Sequence, residues 1–322
     1  MKTIIHISKT PLVGAPARLS AAIRDHLDCH SLHFFENDYP EPLTNFFTST
    51  SLHIDYDNPA LMLLFDEAIR SADIIHIHNQ CSFATEQRIL DLRPTAKFIY
   101  HVHSPLREGP LYFRRMDDFR FDWSAFFVVG QIWPRLYPEA MPMPNLIPIS
   151  PPDSPASIGE CLKVLYSPSH RRDGRWGTKV SPALDEALSK IEAQGLAEIY
   201  DLKSPILPYQ LGELRKRMNI TIDEITTGGF HQISLEGLLC GNVVINGSDE
   251  FSIQVMRGWT KTKKRPPFVI MNEANVEKAL SELLENHARL AEIAEASLAY
   301  SKEFLPPAKL IQRYDEAYRA IR

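Results

Sequence analysis

The stretch 222–245, Ile-Asp-Glu-Ile-Thr-Thr-Gly-Gly-Phe-His-Gln-Ile-Ser-Leu-Glu-Gly-Leu-Leu-Cys-Gly-Asn-Val-Val-Ile, restricts the fold more than any other part of the chain. An acidic pair, Asp223 and Glu224, precedes a turn at Gly228 and Gly229, where the missing Cβ atoms let a backbone approach a ligand closely. The next segment, about 230–239, reads as a helix with Ile233, Leu235 and Leu238 as its apolar contacts and Glu236 as its one acid. Gly241 ends it, in the position glycine favours just past a helix, and Val243-Val244-Ile245 reads as a short buried strand. A glycine turn that opens a helix presents free backbone N–H groups and the positive end of the helix dipole, which suits a phosphate. A lone acid on such a helix is placed to accept hydrogen bonds from ribose or sugar hydroxyls.

The same strand, loop and helix order recurs along the chain. Residues 3–8 form a short apolar strand, a loop ending at Gly14 follows, and 17–27 reads as a helix. Only one glycine stands in that loop, so the dinucleotide fingerprint of three spaced glycines is absent. Gly14 reads either as a tight turn or as part of a ligand loop. Residues 59–70 suggest a helix, and 72–78 and 97–103 suggest buried strands that end in histidine pairs, His76/His78 and His101/His103. Residues two apart on a strand share a face, and the carboxyl ends of such strands are where open α/β sheets bind ligands. Imidazole is a common metal ligand. No nearby carboxylate or cysteine completes a coordination set here, so no metal and no cofactor is expected.

Residues 125–130 read as another buried strand. Seven prolines between Pro134 and Pro152 then rule out a regular helix or central strand. This segment marks the end of one domain, with the boundary near 150–158. A second α/β unit opens with the strand 162–167 and the loop Pro168-Ser-His-Arg-Arg-Asp-Gly-Arg-Trp-Gly-Thr-Lys179, followed by a helix over 181–194 capped by Ser181. Arg172, Arg175 and Lys179 place positive charge between strand and helix, where phosphates bind in such folds. A solvated surface loop is the alternative. Another basic stretch, 106–120, reads as solvated helix and loop or as an anion-holding wall. One long amphipathic helix is expected over 276–300, and a last one over 307–321.

With 322 residues the chain suits two domains of about 150 residues each. Its net charge of −5 argues against a general nucleic-acid binder. Four scattered cysteines without a Cys-x-x-Cys spacing fit reduced thiols in the cytoplasm. No apolar run reaches the roughly 20 residues needed to span a bilayer. Peripheral contact with the inner face of a membrane stays compatible with this.

The 222–245 stretch resembles the donor segment of glycosyltransferases with the two-Rossmann GT-B fold, in the retaining family 4 lineage. The matching residues are the glycine turn, Leu235-Glu236-Gly237-Leu238-Leu239-Cys240-Gly241 and Val243-Val244-Ile245. The family often places a second glutamate eight positions before this one, where the chain has Gly228. Asp73-Ile-Ile-His-Ile-His-Asn79 and Tyr100-His-Val-His103-Ser104 are similar to two further segments of the family, and 168–179 is similar to its phosphate loop.

The resemblance implies two Rossmann-like domains facing across a cleft, with the last helix crossing back to the first. It assigns 1–152 to the acceptor, 158–305 to the nucleotide sugar and 306–322 to the returning helix. It implies sugar transfer from a nucleoside diphosphate donor, UDP- or GDP-linked, to a glycan or lipid-linked acceptor without a metal. Site residues carried over are Gly14 in the phosphate and acceptor loop and His103 beside the sugar. Arg172, Arg175, Lys179, Gly229, Phe230, His231 and Glu236 carry over as donor contacts. Asp223 and Glu224 stand near enough in sequence to supply the carboxylate missing at Gly228. A non-catalytic nucleotide-sugar-binding scaffold or a nucleotide-sugar epimerase are the rival readings.

Overall fold

A computed structural model describes residues 2–103, 118–131, 133–168, 179–202 and 204–321. Two compact units divide the chain, Met1–Leu146 together with Pro307–Arg322, and Ile147–Pro306. Both are α/β and Rossmann-like, as the sequence predicts.

The first unit runs β1 (Lys2–Ser8), α1 (Ala15–His26), β2 (Cys29–Phe35), β3 (Leu52–His53), α2 (Pro59–Ser71), β4 (Ile74–His78), α3 (Phe83–Leu92), β5 (Lys97–Val102), β6 (Trp123–Val129) and β7 (Met141–Met143). All seven strands are parallel, in the order β3-β2-β1-β4-β5-β6-β7. The first six follow the strand order of nucleotide-binding Rossmann sheets. A parallel sheet is covered on both faces, which is why every residue of β4 is buried. One face sends Ile5, Ile7, Ile75, Ile77 and Phe98 into a core shared with Phe65 and Ile69 of α2 and Ile89 of α3. The opposite face carries Ile4, His6, His76, His78 and His101, all buried. The C-terminal helix (Pro307–Ala320) belongs to this unit, and its Tyr314 and Tyr318 reach Phe127, His76 and His101. Pro142 sits in β7, an edge strand, where a missing N–H breaks no internal ladder.

The second unit runs β8 (Leu162–Leu165), α4 (Pro182–Ala193), β9 (Ala197–Tyr200), α5 (Pro208–Arg215), β10 (Ile220–Ile222), α6 (Gln232–Leu239), β11 (Val243–Asn246), α7 (Glu250–Thr260), β12 (Val269–Ile270), α8 (Val276–Leu284) and α9 (His287–Phe304). Its parallel sheet is ordered β12-β11-β10-β8-β9. Counted from β8, this is the order of flavodoxin-like doubly wound sheets. Ser181 caps α4 as expected, accepting the Leu184 N–H at 3.3 Å. The single helix expected over 276–300 is instead two. The break falls at Glu285 and Asn286, because the Asn286 side chain accepts the Arg289 N–H and starts α9 afresh. Gly237 lets α6 lie close on the sheet: a Cβ there would stand 2.8 Å from Val244 Cγ2 and 3.1 Å from Thr221 Cβ.

Candidate functional site

In an open parallel sheet, ligands bind beyond the carboxyl ends of the strands, where the winding reverses direction. In the second unit that point lies between β8 and β10. The loops leaving these strands span 166–181 and 223–231, the two segments singled out for phosphate chemistry. Arg172 and Arg175 lie outside the described residues. Lys179 is described and half-buried, two residues before the α4 cap.

The 223–231 loop is built around its two acids. Asp223 is buried and accepts the His231 N–H at 2.6 Å and the Ser234 hydroxyl at 2.7 Å, with His231 Nδ1 at 3.2 Å. Burial pushes its carboxyl up, but the His231 charge and these hydrogen bonds outweigh that and hold it below the usual range. Because Asp223 takes the His231 amide, Phe230 and His231 stay in the loop and α6 begins at Gln232, two residues later than predicted. Glu224 is also buried. It accepts the Thr226 N–H at 2.6 Å, the Thr227 N–H at 2.8 Å and both threonine hydroxyls. The two carboxylates thus serve the loop's own backbone.

Gly228 has a left-handed φ of 77°, a conformation that disfavours any residue with a Cβ. Its carbonyl accepts the Asp249 N–H at 3.0 Å and the Ser252 hydroxyl at 2.9 Å, which ties the loop to the start of α7. Gly247, just past β11, touches the same loop from the other side. A Cβ there would stand 2.8–2.9 Å from the Ile225 backbone. Gly229 is buried. Phe230, expected as a donor contact, is fully buried with its ring 5.6 Å from Phe268, so its side chain belongs to the core.

Glu236 leans back toward the first turn of its helix, as helical side chains do. There it accepts a hydrogen bond from Gln232 Nε2 at 2.7 Å, and Arg215 Nη2 at the end of α5 pairs with its other oxygen at 2.8 Å. Arg215 was not anticipated. It lies twenty-one positions away on another helix, and only packing brings the two together.

In the first unit the reversal lies between β1 and β4. Leu12, Val13 and Gly14 in the loop after β1 are successively left-handed, with φ of 47°, 54° and 76°. Gly14 then starts α1, and Arg18 spans the turn by donating to the Val13 and Leu146 carbonyls. His103 stands just past β5, half-buried, and its N–H donates to Asn79 Oδ1 at 2.6 Å. Burial, then the Arg18 charge, lowers its pKa to about 3, so its ring is neutral at pH 7. Of the 106–120 arginines, Arg120 is described; it pairs with the buried Glu86 at 3.6 Å.

His103 belongs to a larger layer. Across the strands His6 stands opposite His33 and His76, and His78 opposite Ser8 and His101. His78 shares one hydrogen bond with His6 at 2.9 Å and another with His103 at 2.8 Å. His33 and His6 escaped the sequence reading because only strand register places them beside the two pairs.

Among the described residues no helix is long and apolar enough to cross a membrane. No family model and no curated protein matches the chain. Solved structures share its fold. An alpha-glucosyltransferase in complex with UDP-glucose and DNA containing an abasic site is 13% identical, with a TM-score of 0.63, covering 100% of this chain and 99% of that one. Sucrose-phosphate synthase from Thermosynechococcus elongatus is 12% identical, with a TM-score of 0.56 over 99% and 98%. MnaA of S. aureus, solved with UDP, is 13% identical, with a TM-score of 0.54 over 100% and 98%. At these identities the likeness establishes the fold, that of GT-B glycosyltransferases, and goes no further.

Proposed function

We propose that this chain is a glycosyltransferase that moves a sugar from a nucleoside diphosphate donor to a glycan, glycolipid or other acceptor. The observation that carries the reading is the coincidence in the second unit. The basic loop after β8 and the glycine loop after β10 leave the two strands that flank its reversal point. Fold likeness to solved proteins in complex with UDP or UDP-glucose supports a nucleotide-sugar donor, which we take as UDP- or GDP-linked.

In this reading Arg172, Arg175 and Lys179, with the first-turn amides of α6 beyond His231, hold the diphosphate. Charge grows on the leaving phosphate in the transition state, and donors already aimed at it lower the barrier. This removes the need for a metal at the diphosphate. Glu236 keeps lone pairs beyond those used by Gln232 and Arg215, and these accept the ribose hydroxyls. Asp223 and Glu224 act as positioning residues that fix the loop. With glycine at 228 and both acids engaged, the leaving phosphate itself takes the acceptor proton, and configuration is retained. Gly14, in the loop after β1 at the first unit's reversal point, contacts the acceptor or the donor phosphates, and His103, just past β5, contacts the transferred sugar or its phosphate. The enzyme works in the cytoplasm, at the inner face of a membrane when its acceptor is lipid-linked.

A panel of UDP- and GDP-sugars, assayed for binding, hydrolysis and transfer with and without added Mg2+, tests this. One donor should bind and turn over independently of Mg2+; a panel without any binder overturns the reading. The engagement of Asp223 and Glu224 favours one second reading, a nucleotide-sugar-binding protein that does not turn over. Tight binding without hydrolysis or transfer to a cell-extract acceptor pool would establish that reading instead.

A further inference from the structure

Six histidines, His6, His33, His76, His78, His101 and His103, share one face of the first unit's sheet. Five are buried and one, His103, is half-buried. The layer is costly, because a buried polar nitrogen without a partner loses its hydrogen bonds to water. Some of that cost is met inside the layer: His33 bonds Ser8 and Ser51, His76 Nδ1 meets the Tyr318 hydroxyl at 3.0 Å, and His78 bonds both His6 and His103. His101 is different. It is 1% exposed and neither ring nitrogen has a partner among the described residues.

We propose that His78, His101 and His103 form a binding site for one divalent transition-metal ion of the zinc, cobalt or nickel type. Each offers one nitrogen, and the three nitrogens lie within 4.8 Å of one another. Tetrahedral zinc with metal–nitrogen bonds near 2.0–2.1 Å needs ligand atoms about 3.3 Å apart, so small ring rotations complete the set. The 2.8 Å contact between His78 Nδ1 and His103 Nε2 holds one N–H proton, and for both nitrogens to ligate as neutral imidazoles that proton moves to the other nitrogen of its ring. Neutral imidazole is the ligating form, and the buried environment keeps all three rings neutral. An all-imidazole set selects borderline ions over Mg2+ and Ca2+, which take oxygen ligands.

A second triad, His6, His76 and His78, also brings its nitrogens within 4.8 Å, but all three members are buried. The triad with His103 has one half-buried member, and this favours it over the fully buried set. The Arg18 charge that disfavours protonated His103 also opposes the cation, and so limits the affinity. The site lies wholly in the first unit and does not rest on the donor reading.

The test uses the full chain, stripped with a chelator and titrated with Co2+, followed by Zn2+ competition. One equivalent should bind, giving visible ligand-field bands that Zn2+ abolishes. His101→Asn and His103→Asn should each weaken binding by roughly tenfold or more, since losing even an outer-shell partner has that effect. His33→Asn, from the same layer, should leave binding unchanged. His103→Asn removes the partner of buried His78 Nδ1, so some loss of melting temperature is expected, and an unchanged circular dichroism spectrum shows that the variant still folds. Failure of the unaltered protein to bind Co2+ or Zn2+ at micromolar concentration overturns the proposal. So does binding that survives both His101→Asn and His103→Asn, or that is lost in His6→Asn while His101→Asn retains it.

Discussion

Arg215 and Glu236 form an ion pair of 2.8 Å between side chains only 4% and 12% exposed. The guanidinium's Nε and Nη1 have no acceptor among the described residues, so Glu236 is its main partner. A charge held this way is costly to strand. Glu236→Ala should therefore lower unfolding stability by roughly 3–5 kcal/mol, read from urea denaturation. A purely structural pair and a ribose contact separate in the double variant Arg215→Leu/Glu236→Leu. Apolar replacement should recover much of the stability, whereas nucleotide affinity should stay low. If affinity returned with stability, Glu236 would have no part in the donor site.

Gly247 and Gly258 make a matched pair of tests. A Cβ at Gly247 meets the Ile225 backbone at 2.8–2.9 Å, whereas one at Gly258 meets nothing within 4 Å. Gly247→Ala must displace the 223–231 loop, at a cost of about 1–3 kcal/mol. Calorimetric titration should also show weaker nucleotide binding. Gly258→Ala, inside α7, should leave binding intact and raise stability by up to about 1 kcal/mol.

Gly228 is left-handed, so Gly228→Ala should cost about 1–2 kcal/mol. Gly228→Glu, which restores the carboxylate common in the resembling family, should carry the same cost and bring no gain in turnover. A rate increase would show that the loop accepts a catalytic acid there after all.

Burial lowers the His33 pKa to about 3, with His103 adding to the effect. Its unfolded value is near 6.5. Between these limits the unfolded chain binds a proton that the folded chain refuses, so the stabilisation present above about pH 6.5 is lost as pH falls toward 3. The slope from this one ring is about 1.4 kcal/mol per pH unit. His33→Gln should flatten the acid limb of a stability-against-pH profile by that amount, and an unchanged slope would contradict the buried, neutral assignment.

Much of the fold was legible because local patterns carry it. Buried runs such as Ile74–His78 announce parallel strands, Ser181 followed by Pro182 announces a helix start, and Gly228 marks a turn that needs a left-handed residue. Register and partner choice were not legible. Nothing local says that His6 will stand between His33 and His76, or that Arg215 will reach Glu236. Asp223 and Glu224 looked available for chemistry because a sequence does not show which amides a carboxylate will accept. The polar-rich strand Cys29–Phe35 gave no clear apolar run, since its His33 faces the histidine layer rather than an aliphatic core.

The account's central claim is that the second unit grips a nucleoside diphosphate at the ends of β8 and β10. A crystal structure of the protein with its best-binding nucleotide sugar tests it most directly. The claim predicts phosphate density against the 168–179 loop and the amides that open α6, with the ribose hydroxyls on Glu236. Density at another strand end, or Glu236 still bonded to Arg215 and Gln232 alone with the nucleotide elsewhere, would contradict it.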